Sequence, residues 1–265
     1  MRWIRHIAAV TVAMGCAVLL RADTRHALPD LPIIVLPVEL PRDTMAVVFS
    51  GDGGWRDIDR SIAAVFQKQG IPTVGFDSLH YFWRKKSPAR TAADLGRVIG
   101  HYSRLWKARH VILVGYSFGA DVLPRAYDQL PRQAKAKVTE IALLGLSGRA
   151  DYEISGGSFF GTGAGDGPTL PDIAKIQSGL VQCFYGEQDY GSACSKLEGT
   201  GAEIVRMAGG HHFDGDYNGV ANKILDGAKH RIAAHAAYAV AQKRWQRRPH
   251  AWCIARVDDV RRGAA

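Results

Sequence analysis

At 265 residues, of which 47% are hydrophobic, the chain is long enough for one α/β domain with a single core and gives little reason to expect a second. Its formal net charge of +9 is concentrated at the ends: residues 1–22 contain three arginines, and residues 243–265 contain seven basic and two acidic residues. The remaining body is close to neutral. This argues against direct nucleic-acid binding, because a nucleic-acid-binding domain carries a basic patch on its folded surface.

The first residues have the layout of a secretory signal. Two arginines precede an uncharged apolar stretch, Ile7–Leu20, which is shorter than the roughly 20 residues that a membrane span needs. We therefore expect residues 1–22 to be cleaved near Ala22 and the mature protein to be periplasmic, with an uncleaved anchor as the alternative. Cys16 ends a faint lipoprotein-like motif, so lipidation is a weaker alternative.

Short apolar runs alternate with helical patterns along the rest of the chain. Pro37 removes a backbone donor, which places the first strand at a sheet edge, and Pro124 should bend or shorten the helix that contains it. This alternation predicts a mostly parallel sheet flanked by helices, with functional groups at the carboxyl ends of the strands. The predicted strands are 33–38, 46–49, 73–76, 111–114, 141–144, 180–185 and 203–207, and the predicted helices include 58–69 and 217–245.

The most informative motif is Gly115-Tyr-Ser-Phe-Gly119, which follows a buried strand and precedes a helical run. In α/β-hydrolases a Gly-x-Ser-x-Gly turn in this context is the nucleophile elbow, and it exposes the serine hydroxyl above the sheet. The motif predicts Ser117 as a nucleophile. The alternative is a glycine-flanked turn in which the serine only caps the next helix.

A serine nucleophile needs a base and an acid, and in this fold they follow it along the chain in the order acid, then histidine. Asp189 follows a predicted strand and is the expected acid, with Glu187 as the second choice. His212 is the expected base because it directly precedes a phenylalanine in a glycine-led loop, and His211 is its rival. Together these residues predict a small single-domain α/β-hydrolase fold over residues 23–245.

An oxyanion hole needs backbone N–H groups directed at the developing negative charge. We expect one from Phe118, directly after the nucleophile, and one from Asp52 in the glycine-rich segment after the second strand. A carboxylate beside an oxyanion is repulsive. The Asp52 side chain should therefore either cap the following helix or pair with a cationic group of the substrate.

The cysteines are consistent with export. If Cys16 is removed with the signal, Cys183 and Cys194 can form a short-loop disulfide in an oxidising compartment, and Cys253 remains as an odd thiol. No Cys or His pair has zinc-site spacing, so we expect no metal and no cofactor.

Two loops are too distinctive to be simple connections. Residues 77–86 are aromatic and basic, and residues 155–172 form a long segment rich in glycine and serine. A long loop in a compact domain is often a lid or a binding segment. Residues 246–265 form a basic tail that we expect to be disordered, and its role is open.

Several of these segments together resemble the bacterial VirJ/AcvB virulence-protein family over about residues 33–245. The resemblance implies an exported α/β-hydrolase-like protein, linked to type IV secretion, that hydrolyses aminoacylated phosphatidylglycerol, notably the lysyl ester. It also implies Ser117 as nucleophile, Asp189 as acid and His212 as base. The segments that carry it are Ser50-Gly-Asp-Gly-Gly-Trp55, Asp77-Ser-Leu-His-Tyr-Phe-Trp83, Gly115-Tyr-Ser-Phe-Gly-Ala-Asp-Val-Leu-Pro124, Cys183-Phe-Tyr-Gly186 with Cys194, and Gly210-His-His-Phe213.

A lysyl ester on a lipid headgroup has a cation and an apolar anchor, and this substrate suggests further binding residues. Tyr81 and Trp83 beside three basic residues would suit a membrane surface, and Asp52 or Asp121 could receive the ammonium. The alternative for Asp121 is a carboxylate that stabilises the start of its helix, and the aromatic residues could instead pack under the lid.

Two other functions share the same sequence features. The first is a non-catalytic or dual-role protein that interacts with components of the secretion apparatus. The second is an esterase for a soluble acyl ester, which would have the same triad and differ in its pocket and lid.

Overall fold

The computed structural model describes residues 28–154 and 166–246. The predicted signal, most of the basic tail and the first part of the predicted lid lie outside this range. The strands are β1 Ile33–Leu36, β2 Thr44–Phe49, β3 Thr73–Phe76, β4 His110–Tyr116, β5 Val138–Leu144, β6 Arg149–Ala150, β7 Gly167–Pro168, β8 Val181–Gly186 and β9 Glu203–Met207. The helices are α1 Asp57–Lys68, α2 Ser78–Tyr81, α3 Pro88–Leu105, α4 Phe118–Asp128, α5 Arg132–Lys135, α6 Leu170–Ile173 and α7 Tyr217–Gln246.

The main sheet has the strand order β1-β3-β2-β4-β5-β8-β9, and all of its pairings are parallel except the one between β1 and β3. β1 pairs with β3 alone, which confirms the edge position predicted from Pro37. β6 and β7 form a separate antiparallel pair next to the loop that follows β5.

The sheet lies between two helical layers because alternate residues of each central strand face opposite sides. Met45, Val47 and Phe49 of β2 pack with α3 and α4, whereas Ala46 and Val48 pack with α1 and α7. β2, β4 and β5 are almost entirely buried, as expected for strands covered on both faces.

Pro124 does not interrupt α4. The helix has 11 residues, so it is short as predicted, but it continues past the proline to Asp128. A proline at this position removes one intrahelical hydrogen bond. The buried Leu123, Pro124 and Tyr127 hold this part of the helix in the core.

None of the helices in the described ranges is both long and apolar enough to cross a membrane.

A buried carboxyl group lies where α7 meets the sheet. Glu140 of β5 is 0% exposed, and the Nη1 atom of Arg231 in α7 is 3.0 Å from its Oε2. Neither carboxyl oxygen receives a well-directed hydrogen bond from the part of the chain that the structure describes. Burial therefore outweighs the nearby guanidinium and raises the pKa of Glu140 to about 8.

This raised pKa predicts that the free energy of unfolding falls as the pH rises from 6 to 8. In that window the folded chain holds a proton that the unfolded chain has released, so one such group lowers stability by up to about 1.4 kcal/mol per pH unit. Asp59 and Asp121, whose pKa values burial also raises to about 7, add to the slope. Glu140→Gln should make the slope smaller in urea unfolding followed by circular dichroism.

Glu198→Gln is the matched control, since Glu198 is exposed. The same slope in the wild type and Glu140→Gln would contradict the assignment.

Candidate active site

Ser117 occupies the sharp turn that joins β4 to α4. Its backbone has φ 51° and ψ −118°, a left-handed conformation that is unusual for a residue with a side chain. A Cβ atom on Gly115 would lie 2.5 Å from the Gly119 carbonyl oxygen, and one on Gly119 would lie 2.5 Å from the Phe49 carbonyl oxygen. Both flanking positions must therefore be glycine, and the predicted strand, turn and helix are confirmed.

The structure brings Ser117, His211 and Asp189 together in one chain of hydrogen bonds. Ser117 Oγ is 2.9 Å from His211 Nε2, and His211 Nδ1 is 2.8 Å from Asp189 Oδ2. The side chain of Asp189 is 12% exposed and that of His211 is 40% exposed. The hydroxyl can thus give its proton to an imidazole whose other nitrogen is held by a largely buried carboxylate.

The prediction that His212 contacts the serine is wrong. Its Nδ1 is instead 2.8 Å from the Tyr116 hydroxyl, and its side chain is exposed. The chain turns directly after it, because Phe213 and Asp214 have φ values of 53° and 49° and Phe213 is buried in the core. This turn directs His212 away from the serine and leaves His211, its predicted rival, to make the contact.

Glycines shape the space around the imidazole. A Cβ on Gly145, which follows β5 and has φ +62°, would lie 2.7 Å from His211 Cε1. A Cβ on Gly186, at the end of β8, would lie 2.1 Å from the Gly210 carbonyl oxygen. The histidine loop can approach the sheet only because these two positions have no side chain.

A disulfide braces the loop that carries the acid. Cys183 in β8 is bonded to Cys194, as the sequence predicted, and the loop that it closes contains Asp189. The backbone N–H of Ala193 donates to Leu146 at 2.8 Å, and that of Gln188 donates to Gly209 at 2.8 Å. The acid loop is therefore fixed to the histidine loop and to the segment after β5.

Ser117 and both histidines line a cleft of about 460 Å³ at the carboxyl ends of the strands. Its other walls come from the segment after β2, the start of α1 and the start of α7. The lining residues are Gly51, Asp52, Gly53, Gly54, Arg56, Asp57, Ile58, Asp59, Tyr116, Ser117, His211, His212 and Tyr217.

The two predicted oxyanion donors lie beside the serine. Phe118 is the first residue of α4, so its N–H has no acceptor within the helix. Asp52 lines the cleft, and a Cβ on its neighbour Gly51 would be 3.6 Å from Ser117 Cβ. No hydrogen bond in the described residues joins the Asp52 side chain to α1, so it does not cap this helix as one alternative held; the Arg56 N–H at the helix start donates to Asp59 Oδ2 at 2.9 Å.

The predicted substrate contacts of Tyr81 and Asp121 are not supported. Tyr81 is buried against Phe76, and its hydroxyl donates to Asp94 at 2.8 Å, because α2 turns the chain back into the core. Asp121 accepts hydrogen bonds from the backbone N–H and hydroxyl of Ser147 at 2.7 and 2.8 Å. Burial raises the pKa of Asp121 to about 7. Neither residue lines the cleft, and both form hydrogen bonds that join separate elements of the fold.

Trp83 is 67% exposed and also lies outside the cleft lining. The sequence reasoning did not single out Gly145, which contacts the imidazole, or Arg56 and Tyr116, which line the cleft. Of these three, only Tyr116 lies in a recognisable motif, because it is the residue before the serine in the elbow.

Within the described ranges, no group of three or more His, Cys, Asp or Glu side chains is arranged to hold a metal ion.

A model of the family described as bacterial virulence protein (VirJ) matches residues 43–232. The chain belongs to the VirJ family. No curated protein is significantly similar to this member of the family.

Solved structures share its fold. The enol-lactonase from Burkholderia xenovorans LB400 is 11% identical with a TM-score of 0.55, covering 75% of this chain and 96% of the lactonase. Est1E from Butyrivibrio proteoclasticus is 13% identical with a TM-score of 0.50, covering 76% and 93%. An α/β serine hydrolase without a lid, from Xanthomonas campestris, is 17% identical with a TM-score of 0.50, covering 75% and 88%. This VirJ-family protein therefore has the α/β-hydrolase fold.

The tight space at Gly145 yields a test of the triad geometry. Gly145→Ala should displace the His211 imidazole from Ser117. Labelling of the serine by a fluorophosphonate probe should then be about 100-fold slower, since a 1 Å misplacement of a catalytic group can cost that much. The measurement is the labelling rate followed by intact-protein mass spectrometry.

Gly148→Ala is the matched control, because a Cβ at Gly148 in the same segment meets nothing within 4 Å. Equal labelling rates for a folded Gly145→Ala variant and the wild type would show that the imidazole does not depend on this space.

Proposed function

We propose that this VirJ-family protein is an exported serine esterase. Its substrate would be an aminoacylated phosphatidylglycerol, the lysyl ester foremost, cleaved through an acyl-enzyme on Ser117. The observation that carries the proposal is the continuous hydrogen-bonded path from Ser117 through His211 to Asp189 at the wall of an open cleft. A hydroxyl, an imidazole and a carboxylate in this order are the machinery of acyl transfer.

The geometry supports an ordinary two-step sequence. His211 Nε2 takes the Ser117 proton while Oγ attacks the ester carbon, and the N–H groups of Phe118 and Asp52 would donate to the oxyanion. His211 then gives the proton to the leaving hydroxyl of phosphatidylglycerol. Water attacks the acyl-enzyme with His211 as base, which releases the free amino acid and restores the serine.

The charge of the cleft supports an aminoacyl rather than a plain acyl group. Asp52 is half-buried in the wall, and its carboxylate has no hydrogen-bond or ion-pair partner among the side chains that the structure describes. Without a cation beside it, this carboxylate would destabilise the oxyanion by charge repulsion. A substrate ammonium would neutralise it, so Asp52 favours the substrate whose acyl part carries a positive charge.

Exposed aromatic residues at the same edge of the sheet support a membrane-bound substrate. Trp83 is 67% exposed and is followed by the exposed Arg84, and Tyr190, next to the triad acid, is 93% exposed. Aromatic and basic side chains are preferred at membrane interfaces. The Cys183–Cys194 disulfide and the apolar N-terminus are both in keeping with a periplasmic location.

A second candidate function is an interaction with the type IV secretion apparatus. The family description names virulence and no reaction, so a hydrolase fold used as an accessory protein is consistent with it. The two functions can coexist in one chain, and Ser117→Ala separates them, because it removes the nucleophile and leaves the surface intact.

Replacing His211 should identify the base. His211→Gln is expected to lower kcat/KM for a soluble lysyl ester at least about 1,000-fold, because the serine loses its proton acceptor. His212→Gln should cost far less, since His212 does not contact the serine. A larger loss from His212→Gln than from His211→Gln would reverse the assignment.

Extracted membrane lipids test the substrate. The mature wild-type protein should remove an aminoacylated lipid and release a free amino acid, as followed by thin-layer chromatography and mass spectrometry. Ser117→Ala should leave that lipid intact. Loss of the lipid with both proteins would contradict a serine mechanism, and cleavage of soluble esters alone would assign the non-lipid esterase.

A further inference from the structure

His212 is placed to contact the substrate although it is not the base. It lines the cleft beside Ser117, and its ring is fixed by the 2.8 Å contact between its Nδ1 and the Tyr116 hydroxyl. Tyr116 is buried, and burial, followed by the charge of neighbouring acidic groups, raises the pKa of its phenol, so the hydroxyl keeps its proton. A buried tyrosine thus holds an exposed histidine in one orientation.

This contact also bears on which nitrogen of His212 carries the proton. The Tyr116 hydroxyl has two acceptors within reach, His212 Nδ1 at 2.8 Å and the His211 carbonyl oxygen at 3.5 Å. We assign the phenolic proton to the shorter contact. In the neutral form His212 then carries its own proton on Nε2, and no residue of the described ranges contacts that nitrogen.

The proton transfer to the leaving group places the alcohol part of the ester near His212. The leaving oxygen must approach His211 Nε2 to receive its proton. Groups attached to that oxygen then lie against the histidine loop, of which His212 is the next residue. His212 is consequently in position to contact the alcohol rather than the acyl group.

Arg56 adds a positive charge to the same cleft. Its Nε donates to the Gly53 carbonyl oxygen at 2.8 Å, which holds the guanidinium at the rim. The adjacent carboxylates are engaged elsewhere: Asp57 pairs with Arg60 at 3.3 Å, and Asp59 accepts the Arg56 backbone N–H. In the described parts of the chain, the Arg56 side chain forms no ion pair and can bind an anion.

We propose that His212, oriented by Tyr116, and Arg56 select esters whose alcohol part carries a phosphate. The inference rests on the proposed esterase function and adds the residues that recognise the leaving group. Arginine and an imidazole N–H are strong donors to phosphate oxygens. Asp52, also in the wall, repels a ligand that is only anionic, so the cleft suits a substrate with a cationic acyl part and an anionic alcohol part.

The test compares two soluble esters with the same acyl group, lysyl glycerol and lysyl glycerol phosphate. The measured quantity is the ratio of their kcat/KM values. The wild type should prefer the phosphorylated ester about tenfold to 100-fold, mainly through KM, as expected for two charge-assisted hydrogen bonds. His212→Phe and Arg56→Gln should each bring the ratio towards one, and Tyr116→Phe should lower it by a smaller factor.

Arg60→Gln is the matched control, because Arg60 is an exposed arginine one turn further along α1 and outside the cleft lining. It should keep the wild-type ratio. A wild-type ratio near one, or a ratio unchanged in both His212→Phe and Arg56→Gln, would overturn the inference.

Binding to Ser117→Ala separates this inference from the proposed function. Calorimetry should show that lysyl glycerol phosphate binds this variant more tightly than lysyl glycerol does, and that His212→Phe or Arg56→Gln added to it removes the difference. If the wild type hydrolyses neither ester, the esterase proposal fails while this binding result still decides the phosphate site. Equal binding of inorganic phosphate would assign a site for the free anion and overturn recognition of the alcohol.

Discussion

The site depends on how closely α4 can approach the ends of β2 and β4. At Gly119 the helix backbone meets the Phe49 carbonyl oxygen at a distance that leaves no room for a Cβ atom. This contact fixes the left-handed conformation of Ser117 and lifts its hydroxyl above the sheet. The hydrogen bond from the Ser117 N–H to the Leu144 carbonyl oxygen then ties the turn to β5. Strain in one residue is thus held by the packing of three neighbouring elements.

The other two members of the triad reach the serine because their loops are fastened to each other. Backbone hydrogen bonds join the acid loop to Gly209 and to Leu146, and Gly145 and Gly186 allow the histidine loop to lie close against the sheet. Few side chains are involved in this framework. The catalytic geometry is therefore set by glycines and main-chain contacts, and the side chains of the cleft are free to determine specificity.

Much of this arrangement could be predicted from the sequence because its signals are local. The apolar strands, the edge position indicated by Pro37, the elbow at Ser117 and the position of Asp189 after β8 all follow from short patterns. The choice between His211 and His212 could not be made that way, since it depends on left-handed residues at Phe213 and Asp214. These two residues turn the chain in a direction that residue type alone does not indicate.

The errors at Tyr81 and Asp121 have a related physical cause. Both residues follow the carboxyl ends of strands, where functional groups gather, but each has a hydrogen-bond partner in a later segment of the chain. Tyr81 donates to Asp94 in the next helix, and Asp121 accepts from Ser147 after β5. Proximity along the chain to a functional edge does not show whether a side chain faces the cleft or the core. Gly145 had no sequence signal at all, because its role is the space that it leaves for an imidazole.

The disulfide between Cys183 and Cys194 makes the alignment of the triad depend on oxidation of the newly made chain. Both sulfur atoms are fully buried, so they must be joined as the domain folds rather than afterwards. A newly made chain that still has two thiols lacks the covalent bond that closes the loop containing Asp189. Under the export and lipid hydrolysis proposed above, the enzyme would be least active at the membrane leaflet beside which it is synthesised and would reach full alignment of the triad only after translocation.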